Sequence, residues 1–237
     1  MIRWKPGLIG LGLALLTGGM AAPLAAQDHG HGVTDVARQL NQSFADPDDE
    51  WAARLERDGR EVGDNRYGIV DALALRPGLD VADVGAGSGL FSRIVAERVG
   101  PEGDVFAVDI AQNLVDHIAR TAREEGLTNL HARLGDPRDP GLGESSVDRI
   151  LIVDTYHHFE YPAEMLAHIK RALRTDGLFL LVEPHRIQGI TPPGVMSMVR
   201  AGRGSVTDEI LDAGFELVEE VELMRSQYVL KFRHRPM

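Results

Sequence analysis

An α/β fold with a largely parallel β-sheet is predicted by three features of the 237-residue sequence. From about residue 79 onwards, short apolar segments alternate with segments of helical periodicity, which is typical of repeated strand–helix units. A glycine-dense turn, GAGSG, joins the first of these strands to the helix that follows it. The last two extended segments are separated by only a short joint, so they are expected to pair as an antiparallel hairpin.

Seven strands and the helices between them can be placed along the chain. The strands are predicted at residues 79–84, 104–109, 130–134, 147–153, 178–183, 216–224 and 227–233. Helices are predicted directly after the glycine turn and at residues 111–125, 162–173 and 206–213, the last with Thr207 as its cap. Three further helices are expected before the sheet, at residues 33–44, 48–58 and 65–75. The predicted fold is therefore a doubly wound, Rossmann-like, seven-stranded sheet with an antiparallel last strand.

The first 26 residues have the layout of a secretory signal peptide. Arg3 and Lys5 precede an apolar segment, and the small residues at 21–26, AAPLAA, offer a cleavage site. We therefore expect export to the periplasm or cell envelope, residues 27–64 as a helical extension, and residues 65–237 as the main domain. A retained membrane anchor is the alternative, because a membrane helix needs about 20 apolar residues. Cleavage would leave no stable anchor.

Charge and cysteine content exclude several classes of partner. The formal net charge is -11, and no dense run of lysine and arginine offsets it, so nucleic acid is not expected as a partner. The chain contains no cysteine, which excludes disulfides, thiolate metal sites and cysteine nucleophiles. No metal site is predicted, and the oligomeric state is left open.

The glycine turn at residues 85–89 follows a strand, at the sheet edge where open α/β sheets bind their ligands. Its glycines permit positive φ and close approach of a ligand, and the following helix directs N–H groups at an anion. A dinucleotide fingerprint would place its third glycine at position 90, whereas here it is Gly89. Asp109, at the end of the second strand, can accept hydrogen bonds from both hydroxyls of a ribose. This combination indicates a nucleoside with a small charged tail.

Five motifs in order resemble those of class I S-adenosylmethionine-dependent methyltransferases. They are VADVGAGSG, the acid in VFAVDI, LGDPRD, VDRILIVDTYHHF and LRTDGLFLLVE. The resemblance covers residues 66–183 clearly and the terminal hairpin more loosely. It implies a seven-stranded sheet with an antiparallel last strand, and S-adenosyl-L-methionine as cofactor. A small-molecule methyl acceptor is expected, because no motif typical of protein, RNA or DNA acceptors is present.

The resemblance also implies a role for individual residues around the cofactor. Asp83 and the glycine turn would surround the methionine part, and Asp109 would bind the ribose hydroxyls with Ile110 against the adenine. Asp136 would face the adenine amino group, and Asp154 or its backbone would close the pocket near the methionine amine. Purely structural roles are the alternatives: loop capping by Asp83, helix capping by Asp109 and a turn at Asp136. The implied cofactor-binding residues are Asp83, Gly85, Ala86, Gly87, Ser88, Gly89, Asp109, Ile110, Asp136, Pro137 and Asp154.

Two adjacent histidines follow the fourth strand, where the acceptor is expected to enter. A histidine near its usual pKa of about 6.5 suits a general base, so His157 or His158 is predicted to be catalytic, with His185 as a third candidate. A structural role for these histidines is the alternative. Residues 51–67 and 188–205 are expected to cover the acceptor pocket.

Two functional hypotheses follow from the sequence. The first is an active small-molecule methyltransferase, and the second is an exported, catalytically inactive ligand-binding protein on the same fold. The predicted signal peptide fits poorly with a cofactor made in the cytoplasm, whereas the intact glycine turn and Asp109 favour the enzyme. A nicotinamide oxidoreductase is disfavoured by the glycine spacing.

Overall fold

The computed structural model describes residues 35–43 and 49–236. The predicted signal peptide and its cleavage site lie outside the described residues. No helix in the two described ranges is long and apolar enough to cross a membrane.

A seven-stranded sheet forms the centre of the main domain. Its strand order is β3-β2-β1-β4-β5-β7-β6. Strands β1 to β5 are parallel, and β7 lies antiparallel between β5 and β6. The strands are β1 Val81–Val84, β2 Val105–Asp109, β3 Leu130–Leu134, β4 Val147–Val153, β5 Leu173–Pro184, β6 Phe215–Glu220 and β7 Gln227–His234. The predicted fold class, including the antiparallel last strand, is confirmed.

Helices cover both faces of this sheet, and a short 3₁₀ helix, Tyr156–His158, follows β4. In the described residues the α-helices are α1 Asp35–Ser43, α2 Asp49–Glu56, α3 Glu61–Asp64, α4 Arg66–Ala72, α5 Leu90–Val99, α6 Gln112–Glu124, α7 Pro162–Ala172, α8 Pro193–Met198 and α9 Arg203–Asp212.

Several predicted element boundaries are wrong, among them the following three. Helix α9 begins at Arg203, so Thr207 lies inside it, where its hydroxyl donates to the Arg203 carbonyl at 2.8 Å and caps nothing. Strand β6 ends at Glu220, four residues earlier than predicted, and β5 begins at Leu173, five residues earlier.

Burial on both faces of the sheet explains the apolar strand sequences. Strand β1 is buried along its whole length, as expected for a central parallel strand. Along β5, successive side chains alternate between the two faces, as in any strand. Phe179 and Leu181 join the core on one face, and Leu180 and Val182 join the core on the other.

The strand order reverses next to β1. From β1 the chain proceeds through β2 and β3 on one side of the sheet, and then returns to form β4 on the other side of β1. In an open α/β sheet this reversal opens a crevice beyond the carboxyl ends of the strands, where ligands bind. The glycine turn after β1 lies at this crevice.

Candidate active site

A cavity of ≈ 380 Å³ occupies the crevice at the carboxyl ends of β1, β2 and β4. All the predicted cofactor-binding residues except Gly89 line it, together with His158 of the predicted catalytic pair. The predicted residues that line the cavity are Asp83, Gly85, Ala86, Gly87, Ser88, Asp109, Ile110, Asp136, Pro137, Asp154 and His158.

The glycine turn adopts a backbone that favours glycine. Gly85, Gly87 and Gly89 have φ values of 79°, 56° and 80°, all in the left-handed region. A Cβ atom on Gly85 would lie 2.0 Å from Cγ2 of Thr155, which approaches the turn from the end of β4. Gly89 does not line the cavity but is the N-cap of α5 and sets where that helix begins.

The Asp109 carboxylate connects the end of β2 to the glycine turn. Its Oδ2 accepts the Gly87 N–H at 2.9 Å, and its Oδ1 accepts the Ala111 N–H at 3.0 Å. Burial raises the pKa of Asp109, and the backbone N–H groups that it accepts oppose this rise. Each carboxylate oxygen can accept more than one hydrogen bond, so the same group retains capacity for ligand hydroxyls.

Asp83 lies at the base of the cavity with only 2% of its surface exposed. The Ser92 hydroxyl donates to its Oδ2 at 2.6 Å. Burial raises the pKa of Asp83 to about 6, the Ser92 hydrogen bond opposes the rise, and the negative charge of Asp109 adds to it. The folded chain therefore holds a proton on Asp83 more tightly than the unfolded chain does.

A pH-dependent effect on stability follows from this raised pKa. The Asp83 contribution is complete below the unfolded pKa of about 3.9 and is lost as the pH rises to about 6. At 1.36 kcal/mol per pKa unit, we expect the free energy of unfolding to fall by about 3 kcal/mol, relative to Asp83→Asn, across this interval. Denaturant titrations of both proteins at a series of pH values measure the difference. Parallel stability curves for the two proteins would contradict the raised pKa.

Asp154, just after β4, has a buried acceptor without a partner. Its Oδ2 accepts from Arg60 at 3.0 Å, whereas its Oδ1 is buried and has no hydrogen-bond partner in the described chain. Its backbone φ of 50° is unusual for a residue other than glycine. Burial and the charge of Glu183 raise the pKa of Asp154, while the Arg60 and His157 charges oppose the rise. The unpaired oxygen on a cavity-lining residue fits a cationic ligand group such as an ammonium.

Asp136 and Pro137 lie at the exposed rim of the cavity, on the loop after β3. Asp136 Oδ1 accepts the Arg138 N–H at 2.9 Å, which is the geometry of a turn residue. Asp136 therefore has the structural role that we considered as an alternative, while its position leaves it available to a ligand. Ile110 is 44% exposed and presents an apolar surface on the same side.

The structure separates the two adjacent histidines. His158 lines the cavity, and its Nδ1 lies 3.0 Å from Oδ1 of Asn41 in α1. Burial and the charge of His157 lower the pKa of His158 to about 3, so its imidazole is neutral at physiological pH.

His157 does not line the cavity. It is 6% exposed, and its Nδ1 lies 2.8 Å from Oε2 of Glu183, whose other oxygen accepts the Tyr156 N–H at 2.8 Å. Burial disfavours the charged imidazole, but the Glu183 carboxylate outweighs burial and raises the pKa of His157. His185 does not line the cavity either, and its ring packs 5.4 Å from the ring of Tyr228.

The helical extension forms a wall of the cavity, and the sequence predicted only part of this wall. Asn41, Trp51, Leu55 and Arg60 all line it, and Leu55 Cδ1 would lie 2.9 Å from a Cβ atom on Gly87. Coverage by residues 51–67 was predicted, but no sequence signal identified Asn41 or Arg60 as site residues.

None of residues 188–205 lines the cavity, so the prediction that this segment covers it is wrong. Among the described residues, no group of three or more His, Asp or Glu side chains could hold a metal ion.

The fold and this cavity define a class I methyltransferase architecture. Residues 81–177, less than half of the chain, match the family model of a methyltransferase domain, and the sequence and structural likenesses support a class I S-adenosylmethionine-dependent methyltransferase. S-adenosyl-L-methionine is the cofactor that this family implies. The cavity fits that group: a glycine turn with amides, an acid after β2, and an unpaired buried oxygen on Asp154.

Two named proteins are similar to part of this sequence. The chain is 36% identical to nocamycin O-methyltransferase of Saccharothrix syringae over 127 residues, which cover 54% of this chain and 44% of that protein. It is 32% identical to aklanonic acid methyltransferase DauC of Streptomyces sp. (strain C5) over 83 residues, which cover 35% and 38% of the two chains. The chain thus spans less than half the length of either relative.

Solved structures extend the likeness to the whole sheet. A SAM-dependent methyltransferase from Aquifex aeolicus has a TM-score of 0.70 at 22% identity, over 78% of this chain and 97% of its own. The [4+2]-cyclase SpnF has a TM-score of 0.65 at 17% identity, over 77% of this chain and 86% of its own. At these sequence identities, the likeness shows only that this chain and the two solved structures share a fold.

Proposed function

We propose that this protein transfers a methyl group from S-adenosyl-L-methionine to a hydroxyl group of a small molecule. The observation that supports this most directly is that one cavity combines acids suited to a nucleoside amino acid with a neutral histidine. The names of the nocamycin and aklanonic acid relatives support a small-molecule acceptor, and the first supports an oxygen nucleophile.

Three groups would hold the cofactor. Asp109 would accept the ribose hydroxyls, Asp154 Oδ1 would accept from the methionine ammonium, and the amides of the glycine turn would face the methionine carboxylate. Ile110 and Pro137 would contact the adenine, with Asp136 at its amino group. When bound, S-adenosyl-L-methionine supplies an electrophilic methyl group on a sulfonium.

Apolar side chains in the same cavity support acceptor binding. Trp51, Leu55, Phe159 and Met165 contribute apolar side chains that exclude water from the reacting atoms. Because His158 is neutral, its imidazole can accept a hydrogen bond from an acceptor hydroxyl and orient that oxygen for in-line displacement. We assign the catalytic role to His158 rather than to His157, since His157 lies outside the cavity lining and is paired with Glu183.

The alternative of an inactive ligand-binding protein is not favoured, because the chain matches a methyltransferase domain model and is similar to named methyltransferases. Export to the periplasm or envelope is a separate proposal, supported by the composition of the first 26 residues. The acidic net charge of -11 supports a partner other than nucleic acid.

Binding and turnover are measured separately to test the proposed function. Calorimetry with S-adenosylhomocysteine is expected to show saturable binding by the purified, folded protein. Isotope-labelled methyl transfer to a panel of phenols, enols, carboxylic acids and amines is expected to give product with hydroxyl acceptors, and His158→Gln is expected to reduce turnover about 100-fold. No binding at millimolar ligand refutes the cofactor site, whereas binding without transfer to any acceptor favours the inactive protein.

A further inference from the structure

Asn41 connects the helical extension to the predicted catalytic histidine. It lies in α1, and its side-chain amide makes three hydrogen bonds to the segment after β4. Asn41 Nδ2 donates to the His158 carbonyl at 3.0 Å and to Glu160 Oε1 at 3.0 Å. Asn41 Oδ1 lies 3.0 Å from His158 Nδ1. One side chain therefore contacts both the backbone and the ring of His158.

The partners of the amide nitrogen fix the orientation of Asn41. A backbone carbonyl only accepts hydrogen bonds, and so does an ionised carboxylate, so the NH₂ group of Asn41 must face both of them. Its carbonyl oxygen then faces the imidazole. Because that oxygen can only accept, Nδ1 of His158 carries the proton. A neutral imidazole has one N–H group, so the lone pair of this tautomer is on Nε2.

We infer that Asn41 is a positioning residue that holds His158 in its Nδ1–H tautomer and so makes Nε2 the atom that accepts the proton of the methyl acceptor. The inference rests on the proposed function for its catalytic meaning, whereas the tautomer follows from the three hydrogen bonds of Asn41. In the proposed reaction the acceptor oxygen forms a bond to the methyl carbon, the sulfonium bond to that carbon breaks, and the hydroxyl proton moves to Nε2.

The adjacent histidine provides a comparison within the same chain. His157 also places Nδ1 at a hydrogen-bond acceptor, but its acceptor is the carboxylate of Glu183, which raises the pKa of His157. His158 instead has the uncharged oxygen of Asn41, which adds no negative charge to favour the imidazolium. An amide partner thus fixes the tautomer while keeping the ring neutral.

Several charged groups surround this arrangement. Glu160 is bonded to Asn41 and lies 3.8 Å from Arg38 of α1. The ring of His157 lies 4.5 Å from that of His158, centroid to centroid. Asp154 and Arg60, which form an ion pair, line the same cavity. Measurements of the ring are therefore made at a pH well above the ordinary imidazole pKa of about 6.5. For Asn41→Asp, whose carboxylate favours the imidazolium, the pH is raised until the His158 signals no longer change with pH.

Nitrogen NMR of the ¹⁵N-labelled protein reads the tautomer directly. The His158 signals are assigned by their loss in His158→Gln. In the unmodified protein Nδ1 is expected to be pyrrole-type and Nε2 pyridine-type. Asn41→Leu is expected to shift most of the population away from this pattern, whereas Asn41→Asp retains an acceptor for Nδ1–H and is expected to keep it. Gln39→Leu, at an exposed position of the same helix, is the matched control and is expected to change nothing.

The possible outcomes separate this inference from the proposed function. A pyridine-type Nδ1 in the unmodified protein, or an unchanged pattern in Asn41→Leu, overturns the inference. A purely structural role for Asn41 predicts that Asn41→Asp, which loses both donor bonds, behaves like Asn41→Leu. With an acceptor from the panel, Asn41→Leu is expected to lower kcat at least about tenfold with the KM for S-adenosylmethionine within twofold, and Asn41→Asp to retain more activity. If the unmodified protein shows the expected tautomer without turnover, the proposed function fails and the tautomer assignment stands.

Discussion

Replacing Asp109 with alanine is expected to lower the affinity for S-adenosylhomocysteine about 100-fold or more. The carboxylate would lose its hydrogen bonds to both ribose hydroxyls, and a hydrogen bond to a charged group contributes about 1.5–3 kcal/mol. A loss of about 3 kcal/mol corresponds to roughly 100-fold in affinity. The substitution also removes the acceptor for the Gly87 and Ala111 N–H groups, so the glycine turn is less well ordered before the ligand binds. Calorimetry measures the change.

Two further variants test whether the loss of affinity is specific to the Asp109 carboxylate. Asp116→Ala removes an exposed carboxylate from α6, the helix after β2, and is expected to leave the affinity within about twofold. Asp109→Asn keeps one acceptor oxygen and is expected to fall between Asp109→Ala and the unmodified protein. Circular dichroism and thermal unfolding confirm that each variant is folded. An affinity unchanged by Asp109→Ala would mean that the ribose lies elsewhere.

The second large effect is expected from Gly85→Ala, which should reduce the free energy of unfolding by about 3 kcal/mol. The residue has φ 79°, and the left-handed conformation costs an alanine about 1–2 kcal/mol. Its new methyl group would also lie 2.0 Å from Thr155 Cγ2 and 2.7 Å from Thr155 Cβ, and overpacking of this kind costs about 1–3 kcal/mol. Denaturant titration measures the loss, which is expected to be accompanied by weaker cofactor binding.

The steric part of this loss can be separated from the backbone part. Gly126→Ala has the same kind of backbone cost, at φ 71°, but nothing lies within 4 Å of its added Cβ, so a loss of only about 1 kcal/mol is expected. Combining Gly85→Ala with Thr155→Gly removes the steric overlap and is expected to recover about half of the lost stability. Equal losses for Gly85→Ala and Gly126→Ala would show that the Thr155 contact is not important.

The fold and the part of the cavity around the glycine turn could be predicted because their signals are local in the sequence. Short apolar segments that alternate with segments of helical periodicity indicate the strands. The three glycines at residues 85–89 indicate the turn. Asp109 was found because it ends a strand next to that turn. Element boundaries were less accurate, since pairing of β6 with β7 and not composition determines where that strand ends.

The rest of the cavity depends on contacts between distant parts of the chain. Asn41 is 117 residues from His158, and Arg60 is 94 residues from Asp154, so neither pairing leaves a spacing signal. The sequence could not distinguish His157 from His158 either, because both follow β4 directly. The difference arises from the 3₁₀ turn, which directs one ring to Glu183 and the other to the cavity and Asn41.

Two separate stretches of chain build the walls of the cavity. The acids and glycines that we propose to hold the cofactor lie within the matched domain, whereas Asn41, Trp51, Leu55 and Arg60 belong to the segment that precedes it. Substitutions at Trp51 or Leu55 can therefore reshape the room left for a substrate while the strand–turn–helix unit around Gly85 stays intact. Under the proposed function, exchanging this short helical segment is expected to change acceptor preference while the matched domain is kept.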